Sequence, residues 1–160
     1  MTALSCREQV LRAIAAKLAT IPLPGLVVER DRDQPVRTDE MPRLVLSEGD
    51  EVEHPDWIGC RTWSLGVTVE GYVIGEADPD ADPPVTATAS AAARASELRA
   101  LVQGVLFADM SLGGLARDIQ SDPEAEPVPL DIDGEAPTKA FALALRVEFV
   151  TAESDLFTFA

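Results

Sequence analysis

Histidine, tyrosine and cysteine are nearly missing from this chain of 160 residues, which holds one His, one Tyr and two Cys. Any nucleophile–histidine–carboxylate triad would have to use His54, whose neighbour Pro55 puts it in a stretch that reads as a turn. Cys6 and Cys60 lack the close spacing of a zinc-ligand pair, and two cysteines make no disulfide framework. A reducing compartment is therefore expected. No apolar run approaches the roughly 18 residues of a membrane helix. The start, "MTALSCREQV", has neither the basic residues nor the apolar core of a signal peptide, so export by that route is not expected. Phosphate loops of the G-x-x-x-x-G-K-[ST] kind, dinucleotide-binding G-x-G-x-x-G and the G-x-S-x-G elbow are all missing. Basic residues are scarce as well: 13 against 28 acidic ones, a formal net charge of −15. Nucleic-acid binding rests on Lys and Arg displacing counterions from phosphates, so tight or sequence-specific binding is disfavoured.

What remains is a folded-protein composition, 46% hydrophobic, in a length that suits a single domain over residues 1–160. Ser5 and Glu8 form an S-x-x-E capping box. Leu11, Ile14, Leu18 and Ile21 then recur at spacings of three and four, predicting a helix over about 5–20. Pro22, Pro24 and Gly25 stop it, and a short strand follows near 26–30. Residues 31–42 read as a loop, and "RLVLS" (43–47) as a compact strand. Trp63, Leu65, Val67 and Val69 alternate with Ser64, Thr68 and Glu70, predicting a strand to about Ile74.

Four carboxylates and three prolines make "GEADPDADPPV" a loop. The Ala-rich stretch 85–107 carries an apolar stripe of Leu98, Leu101, Val102, Val105 and Leu106, and its Ala-only turns suit close approach to a neighbouring surface. "LARDIQ" and "VPLDID" are two short strand candidates. Phe141, Leu143, Leu145, Val147 and Phe149 alternate along a long strand over about 139–151. Helices separated by consecutive strands predict an α+β fold: a mostly antiparallel sheet with two main helices packed on it, in the order α-β-β-β-α-β-β-β.

The densest chemistry lies in "SEGDEVEHPDW" (47–57), with five carboxylates and the only histidine. Asp50, Glu53, His54 and Asp56 are the residue types of a magnesium, manganese or calcium shell, which would make a small metal-dependent hydrolase. In a chain this acidic, the favoured reading is an acidic connection between strands. No cofactor, metal ligand or catalytic residue is assigned. Trp57 in this loop is either an interface anchor or a lid packed over its own loop. Leu156, Phe157 and Phe159, beyond the last long strand, need a partner surface.

Taken in order, several segments resemble the tail terminator (tail completion) proteins of long-tailed bacteriophages and prophages. They are "SCREQVLRAIAAKLATIPLPGLVVERDR", "MPRLVLSEGDE", "WSLGVTVEGYV", the Ala-rich helix ending "LGGLA", and "APTKAFALALRVEFVTAESD". The order covers nearly the whole chain, although no motif is specific alone. The resemblance implies a structural virion protein, made in the host bacterial cytoplasm and located at the head-proximal end of the tail. It implies a homo-oligomer, a hexameric ring, that caps the tail tube protein, ends its polymerisation and meets a neck or head-completion protein. Genomic double-stranded DNA would pass through without specific binding, and no membrane is involved. A neighbouring neck protein of the phage connector is the nearest alternative. On this reading Trp57, Leu156, Phe157, Phe159, Arg94, Arg99 and Arg117 are candidate subunit or partner contacts. Asp50, Glu51, Glu53 and Asp56 are candidates for an acidic channel or ring surface.

Overall fold

A computed structural model describes residues 4–54, 59–122 and 137–160, together with the backbone of 132–133. The first helix, α1 (Cys6–Leu18), begins where Ser5 Oγ accepts the Glu8 N–H at 3.3 Å. The expected capping box is half made, because the Glu8 carboxylate is held by Arg12 and Arg30. Val10, Leu11, Ile14 and Leu18 are buried, and Ile21 extends the stripe past the helix end. Gly25, at φ +75°, turns the chain into β1 (Val27–Arg30).

Two strands of fifteen residues form the centre: β4 (Cys60–Ile74) and β7 (Thr138–Ala152). They pair antiparallel without a slip from Cys60↔Ala152 to Ile74↔Thr138. On β4, Leu65, Val67, Val69 and Val73 face the helices, and Phe141, Leu143, Leu145, Val147 and Phe149 do the same on β7. Burying one such side chain stabilises the fold by about 1.5–3 kcal/mol. α2 (Ala87–Phe107), capped by Thr86, adds Ala91, Leu98, Val102 and Leu106 to this core. Gly75, just past β4, lies against the first turn of α2, where a Cβ would collide with Ala87 and Ala91. The Ala-only turns of the helix thus meet a neighbour that is itself without a side chain. On the opposite face Val36, Val45 and Tyr72 form a small second cluster.

The α+β class stands, but the finer expectation needs three corrections. The sheet is mixed: β3 (Arg43–His54), β5 (Asp118–Ser121) and β8 (Asp155–Phe159) join antiparallel neighbours, whereas β1 runs parallel to β3. The two-residue strands β2 (Val36–Arg37) and β6 (Ile132–Asp133) also pair in parallel, in a separate small sheet. The element order is longer than expected, because β2 lies in the segment read as a loop and β8 in the apolar tail. β3 differs as well. It runs through the acidic stretch to His54, and its ladder to β4 slips between Glu48 and Glu51. Gly49 fits at that bulge, where a Cβ would press on the Gly66 carbonyl at 3.2 Å.

Candidate functional site

Residues 47–54 of the acidic stretch belong to strand β3, and the pleat sorts their side chains. Glu53 pairs opposite Trp63 and His54 opposite Thr62, so these neighbours point to opposite faces of the sheet. Glu53 and His54 therefore do not share a metal shell, and Asp56 lies outside the described residues. Among the described residues no group of three or more His, Cys, Asp or Glu side chains converges to hold a metal ion. The Cys6 thiol is fully buried, and its pKa is raised by that burial first and by the nearby Asp155 charge second. That makes it a poor nucleophile.

The carboxylates on the helix side of β3 meet arginines from α1 and β1. Arg7 Nη2 reaches Glu48 at 2.5 Å and Arg7 Nη1 reaches Glu51 at 2.9 Å. Arg30 Nη2 binds the other Glu48 oxygen at 2.9 Å, and its Nη1 binds Glu8 at 3.0 Å. Arg12 closes the far end on Glu8 at 2.7 Å. The result is a continuous charge-alternating chain that ties α1 to the sheet. Arg30 is its hub, with its side chain only 26% exposed. Hydrogen bonds from Arg30 and then Arg12 hold the Glu8 carboxyl below the ordinary carboxylate range. A second cluster lies beside it: Glu29 takes Arg43 and Arg32, and Arg32 also reaches Glu40 at 2.7 Å. Arg43 and then Arg32 lower the Glu29 pKa.

Of the expected acidic surface, Glu51 is thus neutralised by Arg7, and Glu53 pairs with Arg61 at 3.3 Å where both are open to water. Asp50 is exposed and has no ion pair among the described residues. The alternation of Arg30 and Arg32 with Glu29, Asp31 and Asp33 looks in sequence like a solvated strand end. In the fold the two arginines turn inward as clamps. Nothing local marks Arg7 as the partner of Glu48 and Glu51, because 41 and 44 residues separate them.

The candidate contact residues lie in several places. Leu156 and Phe157 are 47% and 53% exposed on β8, whereas Phe159 packs edge-on against Phe149 with centroids 6.4 Å apart. Asp155 stiffens this tip: its Oδ1 accepts the Phe157 N–H at 2.9 Å and its Oδ2 the Thr158 hydroxyl at 2.6 Å. Those bonds lower the Asp155 pKa, Thr158 contributing most. Arg94 is engaged within the chain, donating to the Ile74 carbonyl at 2.9 Å and pairing with Glu76 at 3.1 Å. Arg99 and Arg117 are exposed and form no ion pair among the described residues. Lys139 shares that condition, while every other basic residue is paired. Trp57 lies outside the described residues.

Among the described residues no helix is long and apolar enough to cross a membrane. No protein-family model matches the chain, and a comparison with curated proteins finds no match.

Proposed function

We propose that this chain is a structural ring protein of a phage-type tail, a tail terminator that acts by surface complementarity without chemistry. The observation that carries the reading is the order of segments, which resembles that family from the capped first helix to the long closing strand. Two features of the molecule support it. Ten of its thirteen Lys and Arg residues are held in internal ion pairs and acidic residues outnumber basic ones 28 to 13, so the charge left facing water is mostly negative. Such a surface repels a phosphate backbone and suits a passage through which double-stranded DNA slides without adhering. Strand β8 presents Leu156 and Phe157 on a segment braced by Asp155, an apolar knob fit for a neighbouring subunit.

A closed ring needs a heterologous interface, in which two different patches of each subunit meet. On this proposal Arg99 and Arg117, exposed and without ion-pair partners among the described residues, would meet loop carboxylates such as Asp78 and Asp80 of the next copy across that seam. Native mass spectrometry, alone and with tail tube protein, tests the reading. A hexamer that weakens as salt rises is expected, because the Debye length shrinks from about 10 Å at 0.1 M to about 3 Å at 1 M and exposed pairs weaken with it. A strict monomer under both conditions would overturn it. Electron microscopy of assembled particles then decides whether the ring lies at the tube end or in the neck.

A further inference from the structure

We draw no further inference here: the strongest candidate, the apolar groove of about 290 Å3 that Leu23, Pro24, Pro42, Val73, Leu98 and Leu101 line between the turn after α1 and the flank of α2, carries nothing because nothing in the structure shows what covers it.

Discussion

Gly75 and Gly104 make opposite tests of how α2 is seated. At Gly75 an added Cβ would overlap the Ala87 carbonyl oxygen and lie 2.5 Å from Ala91 N and 2.8 Å from Ala91 Cβ. Two of those obstacles are backbone atoms, which cannot swing aside as a flexible side chain can. Gly75→Ala must therefore push the first turns of α2 away from the end of β4. Overpacking costs about 1–3 kcal/mol, and a backbone obstacle places this change near ~3 kcal/mol. For a domain of this size each kcal/mol moves Tm by about 2–4 °C, so a fall of roughly 6–12 °C is expected. Gly104, inside the same helix, has nothing within 4 Å of its would-be Cβ. Gly104→Ala should raise stability by about 0.5–1 kcal/mol, since alanine loses less backbone freedom on folding. Thermal and urea unfolding followed by far-ultraviolet circular dichroism, at one fixed protein concentration, reads both. A Gly75→Ala protein with the parent midpoint or a higher one would refute the close contact, and a fall for Gly104→Ala would refute the open position in the helix.

Other perturbations address the charge chain and the acidic strand. Arg30→Ala strips Glu8 and Glu48 of a shared partner and should cost about 1–2 kcal/mol, less than the ~3–5 of a fully buried pair because water still reaches the site; an unchanged urea midpoint would contradict that role. Glu8 and Glu29 have folded pKa values below their ordinary 4.5, so the stability they contribute is complete above that value and is lost as pH falls from there through the lower folded values. The urea midpoint should accordingly fall on acidification below about pH 4.5; a rise through that window would mean that relief of net-charge repulsion outweighs the pairs. His54→Ala should be silent to within about 0.5 kcal/mol in unfolding, while on the ring proposal Trp57→Ala should lower the fraction of oligomer in native mass spectra. The reverse pattern would defeat the structural reading of this strand.

How much of this was legible beforehand depended on periodicity. The α1 stripe and the alternations of β4 and β7 were readable because each element buries one face, and burial imposes a period of 3.6 or 2 on its apolar residues. α2 was readable from its second half, since Leu98, Val102 and Leu106 repeat at helical spacing. β3 beyond Ser47 was not. Glu48, Glu51 and Glu53 look like loop chemistry, and only Arg7, Arg30 and Arg61 make them compatible with a sheet. The parallel pairing of β1 with β3 was hidden for a related reason: the choice of partner strand is a long-range event with no local mark. β2 and β6 hold two residues each, too few for any period to show. At the candidate contacts, the exposure of Leu156 and Phe157 agrees with their position past the long strand, but the docking of Phe159 on Phe149 needed the turn at Glu153 and Ser154 that folds β8 back on β7.

The unslipped pairing of β4 with β7 has a mechanical consequence. Fifteen residues at about 3.3 Å each make a bar roughly 50 Å long, bonded crosswise along its length. A force that slides the two strands past one another loads all of those crosswise bonds together, whereas a force that peels them apart loads one at a time. The molecule is therefore stiffest along the strand axis. It should yield first where the strands can be peeled, from the open ends of the ladder at Cys60 and Ile74.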